Sequence, residues 1–269
     1  MPNSSPLDFL NSPGLLLGFL FVLSRVAGIF VFAPIPGMKN GPDILRVLLA
    51  LSITVALFPI WPRVTEPNPT VSFVVAAIFS EATFGLAIGL AVAFTLEALQ
   101  MAAQVMGVQA GYGYASTIDP ATQADSPVLL VFAQLFSGLL FFATGMDREI
   151  IRACALSLQT IPPGSFTVSA DLAHSLIRLS SGIFSIGVRL ALPAVALLGM
   201  LDLSLALMGR VNSQLQLITL AFPVKMLAAL VLLAFTGVLF ARMFSMYSGQ
   251  VMETIRHMVA LPVPLAHVR

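Results

Sequence analysis

The chain has 269 residues, of which 58% are hydrophobic and only 9% are charged. An ordinary globular protein is about 25% charged, so this chain has too few charges to cover a water-soluble surface. Its net charge of +1 excludes the clustered basic surface that nucleic-acid binding requires. A single cysteine, Cys154, and three histidines exclude an intrachain disulfide and a cysteine-based metal cluster, and no cofactor is expected. This is the composition of an integral membrane protein.

Apolar segments of about 18 residues or more can cross a bilayer, and the first part of the chain has three of spanning or near-spanning length. They cover residues 15–32, 44–60 and 71–109. Proline-rich stretches separate them, because proline cannot continue a helix. At about 1.5 Å per residue the third would measure roughly 58 Å as a helix, about twice the hydrocarbon thickness. A simple single span does not explain that length.

The second part of the chain adds one apolar segment of ordinary length and two long ones. The first covers residues 126–146 and precedes a short polar cluster and a Pro-Pro-Gly stop at 162–164. The long segments, residues 171–208 and 215–258, are joined by a polar turn. Their patterning is helical and not alternating, which argues against a transmembrane barrel. The predicted fold class is an all-α integral membrane protein that ends in a long antiparallel helical hairpin.

Ionisable residues lie within these apolar segments, where a charge that faces lipid costs a few kcal/mol or more. They mark contacts with protein or aqueous cavities, and pairing, helix capping or snorkelling is the simpler explanation for any single one. Glu81 and Glu97 are about 160° apart around a helix and should point in nearly opposite directions. The residues concerned are Arg25, Glu81, Glu97, Arg178, Arg189, Asp202, Lys225 and Arg242.

A polar stripe occupies the second half of the segment at residues 71–109. Polar and small residues recur there at spacings of three or four, which places them on one helical face. Such a face suits contact with another subunit or the wall of an aqueous pore, and an amphipathic helix at the membrane interface is the alternative. Gly107 and Gly111 form one pair of small residues four positions apart. A second such pair, Gly85 and Gly89, is more typical of helix packing than of a functional site. The stripe consists of Glu97, Gln100, Gln104, Gly107 and Gly111.

A loop rich in glycine and tyrosine follows the stripe. Its composition does not continue a helix well, and irregular backbone at membrane depth is tolerated only inside protein or along a cavity. Composition leaves two alternatives open, a plug that projects into a pore and a solvent-exposed connection. The candidate plug residues are Gly111, Tyr112, Gly113, Tyr114, Ile118, Asp119 and Pro120.

Enzymatic activity is not expected. The sequence has no Ser-His-Asp order with a glycine elbow, no His-Glu-x-x-His motif and no phosphate-binding loop. A self-contained small-molecule or ion transporter is the alternative from another class of protein. It predicts broken helices at corresponding positions of two repeated halves, and the sequence has no such internal symmetry.

Short motifs follow one another in a fixed order between residues 25 and 225. They are Arg25 to Gly28, Ala33-Pro34, Pro42, Arg46-Val47, Leu49-Ala50 and Pro59, then Glu81, Gly85, Gly89, Gln104, Gly107, Gln109, Gly111, Asp119-Pro120 and Pro127, then Ser157 with Ile161-Pro162-Pro163-Gly164, and finally Arg210, Asn212, Gln214 and Phe222-Pro223-Val224-Lys225. Together they resemble the FliR family of the flagellar protein-export gate, which has counterparts in virulence type III secretion systems. Two places depart from the family pattern: Gly145-Met146-Asp147 replaces the usual Asn-Gly-His, and Ser213 replaces a common proline.

The resemblance implies a structural and channel subunit of the flagellar type III export gate, in the bacterial inner membrane at the flagellar basal body. It implies assembly with FliP and FliQ, FlhB as a further partner, and unfolded flagellar proteins as substrates. It also implies a FliP-like region, residues 1–165, and a FliQ-like hairpin, residues 166–269. The family's central loop lies in the closed pore, which favours the plug for about residues 111–125. A virulence-system homologue is the alternative.

Overall fold

The computed structural model describes residues 13–33, 43–62, 70–112, 128–211 and 217–260. Within these ranges the chain is helical and contains no strand, so the predicted all-α fold class is confirmed. The described elements are α1 (Pro13–Phe32), α2 (Asp43–Ala56), a 3₁₀ turn (Phe58–Ile60), α3 (Val71–Ala110), α4 (Val128–Ala143), α5 (Met146–Thr160), α6 (Ala170–Val211) and α7 (Leu217–Ala260).

Four of the described helices, α1, α3, α6 and α7, are long and apolar enough to cross a membrane, and the number rises to five if α4 and α5 form one broken span. An integral membrane protein is thereby confirmed. The prediction of a near-spanning helix over residues 44–60 is wrong, because α2 has only 14 residues. Pro59 accounts for the early end, since proline lacks the amide donor and clashes with the preceding turn of a helix.

Three helices are far longer than a bilayer requires. The 40 residues of α3 form one unbroken helix, and α6 and α7 have 42 and 44 residues. At about 1.5 Å per residue, each measures roughly 60 Å or more. The predicted overlong segment is therefore a single continuous helix.

A second correction concerns the end of the predicted fourth helix, residues 126–146. Helix α4 ends at Ala143, and the polar cluster that follows belongs to α5, with Asp147 and Glu149 in its first turn. Carboxylates are favourable at that end of a helix because they face its unpaired amide groups. The break lies just before, at Gly145, whose positive φ of 72° is a conformation that glycine adopts at little cost.

Packing divides the chain into two compact units, each built from separated stretches. Unit 1 contains Met1–Ala93, Gly145–Arg178 and Gly249–Arg269, and unit 2 contains Phe94–Thr144 and Leu179–Ser248. Helices α3, α6 and α7 each contribute one portion to each unit. The predicted boundary between residues 165 and 166 rests on the resemblance, and it stays a prediction.

In unit 1, α1 lies against the first half of α3 with no side chain between the two backbones at several points. A Cβ atom at Gly85 would overlap the carbonyl oxygen of Arg25, and one at Gly89 would overlap that of Ile29. A Cβ atom at Gly28 would come within 2.5 Å of the carbonyl oxygen of Ala82. The Gly85 and Gly89 pair therefore serves helix packing, as the sequence suggests.

In unit 2, α6 and α7 run antiparallel. The Tyr247 hydroxyl donates to the carbonyl oxygen of Leu179, and Lys225 pairs with Asp202. The start of α6 therefore lies beside the later part of α7, and the later part of α6 lies beside the start of α7. The two helices form the predicted antiparallel hairpin. Gly187 of α6 lies against Met101 of α3, so the second half of α3 packs on this hairpin.

Candidate functional site

The motif residues that lie far apart in the sequence meet in two polar clusters, one in each unit. We call the cluster in unit 1 the buried cluster, because its ionic side chains have no access to solvent. We call the cluster in unit 2 the loop-base cluster, because it holds the end of α3 from which the predicted plug loop starts. The buried cluster consists of Arg25, Glu81, Ser157, Ile161 and Gly164, and the loop-base cluster consists of Gln109, Tyr112, Asp202, Lys225 and Met226.

The guanidinium of Arg25 is the centre of the buried cluster. Its side chain is 0% exposed and that of Glu81 is 1% exposed, and the Arg25 Nε donates to the Glu81 Oε2. Nη1 donates to the Ser157 hydroxyl at 2.9 Å and Nη2 to the Ile161 carbonyl oxygen at 3.4 Å. The second oxygen of Glu81 accepts from the Gly164 amide at 3.1 Å. Helices α1, α3 and α5 are thus joined to the start of the connection between α5 and α6.

Aromatic rings complete the surroundings of the buried cluster. The Arg25 guanidinium carbon lies 4.9 Å from the centre of the Phe84 ring, which suits a cation–π contact. Phe84 meets Phe166 edge to face, with ring centres 4.8 Å apart, and the Ser80 hydroxyl donates to the Phe166 carbonyl oxygen at 2.7 Å. The connection between α5 and α6 is therefore held against α3 at Gly164 and Phe166.

This geometry explains how two charges are accommodated within apolar helices. A buried ion pair repays its lost hydration only when further hydrogen bonds satisfy both partners, and both Arg25 and Glu81 have such bonds. The pairing interpretation is confirmed for these two residues. All of the contacts run between helices and their connections, so the cluster acts as a structural joint.

The loop-base cluster is organised around the carboxylate of Asp202 on α6. The Nζ of Lys225, on α7, lies 2.8 Å from Oδ1 and 3.0 Å from Oδ2. Gln109, near the end of α3, donates from Nε2 to Oδ2 at 3.2 Å. The side chain of Asp202 is 41% exposed and that of Lys225 is 14% exposed. This ion pair is therefore only partly shielded within the chain.

The end of α3 has its own geometry. Gly111 has a φ of 83°, which turns the chain out of the helix at a position that glycine tolerates best. The Tyr112 hydroxyl then donates to the carbonyl oxygen of Met226 at 3.1 Å. Burial raises the pKa of the Tyr112 phenol, so the hydroxyl keeps the proton that it donates. Two hydrogen bonds, one from Gln109 in the last turn of α3 and one from Tyr112 just after it, thus tie the end of α3 to the α6–α7 hairpin.

Several predicted site residues lie outside the described residues, and their roles stay predictions. Among the other predicted positions, Arg210 and Pro223 are exposed on α6 and α7, and Phe222 lies within α7. The positions outside the described ranges are Gly113, Tyr114, Ile118, Asp119 and Pro120 of the predicted plug, with Asn212 and Gln214 of the turn.

The polar stripe of α3 has one exposed edge and one buried edge. Glu97 and Gln104 are exposed, whereas Gln100 and Gly107 are buried. Steps of three and four residues spread the stripe over a sector roughly 80° wide, so its two edges meet different surroundings. Gln100 donates to the Glu97 carboxylate at 3.4 Å. A role in subunit contact or pore lining stays a prediction, and the exposed edge is the part available for it.

One pairing has a partial signal in the sequence. Asp202 and Lys225 lie on opposite sides of the polar turn between α6 and α7, and an antiparallel hairpin brings residues on its two arms near each other. The contact of Gln109 with Asp202, 93 residues away, has no such local signal. Among the described residues, no group of three or more His, Cys, Asp or Glu is placed to hold a metal ion.

Comparison with known proteins finds relatives over most of the chain. The model of a family described as bacterial export proteins, family 1, matches residues 16–251. The chain is 29% identical over 217 residues to the flagellar biosynthetic protein FliR of Escherichia coli (strain K12), a match that covers 80% of this chain and 82% of the relative. It is 27% identical over 247 residues to FliR of Bacillus subtilis (strain 168), covering 90% and 95%. For FliR of Aquifex aeolicus (strain VF5) the identity is 25% over 229 residues, covering 84% and 88%.

Proposed function

The chain belongs to the bacterial export proteins of family 1, whose model matches residues 16–251, and from this we propose that it is a subunit of the flagellar type III protein export gate. The family match is the observation that carries the proposal. The relatives compared above are flagellar biosynthetic proteins, and the match spans 82% and 95% of the first two. With four or five apolar helices of spanning length among its described residues, the chain is a multi-pass protein of the bacterial inner membrane at the flagellar basal body.

We propose that the chain works within a hetero-oligomer with FliP and FliQ, with FlhB as a further partner. The exposed apolar surface supports this. Phe184 is 63% exposed, and Phe235 and Val238 are 79% and 82% exposed, on helices about twice as long as the hydrocarbon layer is thick. Lipid cannot cover the whole of such a helix, and a large apolar surface left in water is unfavourable. Neighbouring subunits would cover the remainder.

The proposed role is structural and conductive, without catalysis. Both polar clusters consist of hydrogen bonds and ion pairs that join helices. We propose that unfolded flagellar proteins pass through a pore that this chain helps to form, and that the energy for transport is supplied by other components.

We propose that the loop after α3 closes that pore. Support comes from the place where the loop starts. Gly111 ends α3 with a positive φ, and Tyr112 ties the chain to α7 just before residues 113–127. A loop that must stay in a pore between export events needs a fixed point of attachment, and the loop-base cluster offers one.

A deletion tests the plug. Removal of residues 113–118 should leave the complex assembled but make the membrane leaky to ions or small solutes, because the pore would lose its seal. The measurement is dye or ion flux in cells or vesicles that contain the gate. Removal of residues 64–69, an equal number of residues from the proline-rich stretch between the 3₁₀ turn and α3, is the control and should cause no leak. An unchanged flux in assembled complexes that lack residues 113–118 would contradict the plug.

Expression of the chain alone tests membership of a hetero-oligomer. A self-contained transporter should purify as a stable protein, whereas a gate subunit with uncovered apolar helices should aggregate or be degraded. Co-expression with FliP and FliQ should restore a stable complex. A monodisperse chain that transports a small solute by itself would overturn the proposal.

The exposed edge of the polar stripe gives a further test. We propose that Glu97 and Gln104 face a neighbouring subunit or the pore. Gln104→Leu should weaken co-purification with FliP and FliQ or reduce flagellar protein secretion. Normal assembly together with normal motility would count against a role for this edge.

A further inference from the structure

The Asp202 carboxylate of the loop-base cluster contacts two residues that lie on different helices. Asp202 receives Lys225 of α7 on both oxygens, at 2.8 and 3.0 Å. Its Oδ2 also accepts a hydrogen bond from Gln109 of α3 at 3.2 Å. The charge pair therefore lies within the α6–α7 hairpin, and the amide of Gln109 is added to it from a third helix.

The two contacts of Asp202 differ in what their loss would cost. Loss of Lys225 would leave the Asp202 carboxylate in an apolar hairpin without a counter-ion, which costs more than the loss of one hydrogen bond. Withdrawal of Gln109 would leave the ion pair intact and would cost one hydrogen bond to a charged group. The bond from Tyr112 to the Met226 carbonyl oxygen is between neutral groups and is weaker still. The end of α3 can thus leave the hairpin while the hairpin keeps its ion pair.

We infer that Asp202 anchors the end of α3 and that the bonds from Gln109 to Asp202 and from Tyr112 to Met226 form a releasable clasp on a hairpin that stays paired. The clasp holds the last turn of α3, where Gly111 redirects the chain. It therefore sets where the following segment starts. The clasp concerns α3, α6 and α7 alone, and the inference rests on the proposed function only for its effect on the pore.

Two charged replacements of Gln109 distinguish a clasp from a merely structural contact. Gln109→Glu sets a second carboxylate against Asp202, and like charges repel. Gln109→Lys, of comparable length, sets a cation there instead and should retain the contact. Adding Asp202→Asn to Gln109→Glu removes the repulsion and leaves Lys225 free to pair with the new carboxylate, so the double variant should recover. Gln159→Glu, on an exposed position of α5, is the matched control.

Amide hydrogen exchange in the assembled complex measures the clasp without reference to the pore. A hydrogen bond to a charged group changes an equilibrium by about a factor of ten or more. Protection of the amides of residues 105–112 should therefore fall about tenfold in Gln109→Glu. It should be unchanged in Gln109→Lys and in Gln159→Glu. Equal protection in the glutamate and lysine variants would overturn the inference.

A milder variant keeps the test decisive if Gln109→Glu does not assemble. Tyr112→Phe removes one hydroxyl and leaves the ring in place. A smaller loss of protection over residues 105–112 supports the clasp, and unchanged protection overturns it.

Leak measurements separate the clasp from the plug. Leak in both the 113–118 deletion and Gln109→Glu supports the clasp and the plug together. Lost protection in Gln109→Glu without leak in either variant supports the clasp and contradicts the plug. Leak in the deletion with unchanged protection in Gln109→Glu overturns the clasp and leaves the plug standing.

Discussion

The buried cluster and the loop-base cluster both place an ion pair between apolar helices, but they differ in how far the charges are exposed. Each pairs a cation on one apolar helix with a carboxylate on another. In the buried cluster the side chains of Arg25 and Glu81 are 0% and 1% exposed, whereas those of Lys225 and Asp202 are 14% and 41% exposed. A charge without access to solvent must keep all of its partners, while a partly exposed charge can exchange one partner for water or for a neighbouring subunit. The first arrangement suits a fixed joint, and the second suits a contact that changes.

The two clusters also differ in the cation that they use, arginine in the buried cluster and lysine in the loop-base cluster. The guanidinium of Arg25 presents several N–H groups in a rigid fork, and it contacts a carboxylate, a hydroxyl and a backbone carbonyl oxygen. The ammonium of Lys225 is a compact charge on a flexible chain, and among the described residues it pairs with the Asp202 carboxylate. A fork that holds three helix segments specifies one geometry. A compact charge paired with one carboxylate holds the hairpin together without fixing α3, which Gln109 joins by a separate hydrogen bond.

Breaking the buried cluster should have the largest effect. Arg25→Leu leaves the Glu81 carboxylate buried without a counter-ion, which costs about 3–5 kcal/mol. We expect the chain to lose most of its folded population in the membrane, as measured by its steady-state amount and by thermal unfolding of the purified complex. Arg152→Leu is the control, because the Arg152 side chain is 77% exposed. Arg25→Leu combined with Glu81→Leu should recover part of the loss, and a double variant as unstable as Arg25→Leu alone would contradict this account.

Disrupting the close contact of Gly85 with α1, next to the buried cluster, should have the second largest effect. Gly85→Val forces a side chain against the backbone of α1 at Arg25, and overpacking of this kind costs about 1–3 kcal/mol, or more where backbone must move. Because the clash would also displace Arg25, we expect a lower melting temperature and lower amounts of the complex. Gly237→Ala in α7 is the matched control, since a Cβ atom there would meet nothing within 4 Å. Equal melting temperatures for the two variants would show that α1 and α3 can separate without cost.

Hydropathy and turn chemistry predict the helices well, but they do not predict which side chains from different helices contact each other. The unbroken α3 follows from a long apolar run, and the early end of α2 follows from Pro59 once proline's effect on the preceding turn is weighed. Arg25 meets Glu81 across 56 residues and Ser157 across 132, and helical periodicity constrains only faces within one helix. The resemblance names most of these residues, yet it carries no distances. Their meeting depends on how close α1 and α3 approach, which Gly28, Gly85 and Gly89 decide in three dimensions.

A backbone substitution outside both clusters should have a smaller effect. Gly145 has a φ of 72°, and a Cβ atom there would meet nothing within 4 Å. Gly145→Ala should therefore destabilise the chain through backbone strain alone, by roughly 1 kcal/mol. Asparagine tolerates positive φ better than alanine does, so Gly145→Asn should lie between the two in melting temperature. A stabilising alanine would mean that the break between α4 and α5 is not held in this conformation in the assembled protein.

The smallest effect is expected at an ion pair that is largely exposed. Arg256 of α7 donates to Glu149 of α5 at 3.0 Å, and the two side chains are 62% and 30% exposed. Exposed pairs contribute at most about 1 kcal/mol and are screened by salt, so Arg256→Gln should change the melting temperature little at low salt and not at all at high salt. Together with Arg25→Leu, this variant extends the comparison from full burial to exposure. If Arg256→Gln were as damaging as Arg25→Leu, burial would not be what separates a fixed joint from a contact that can change, and the distinction between the two clusters would fail.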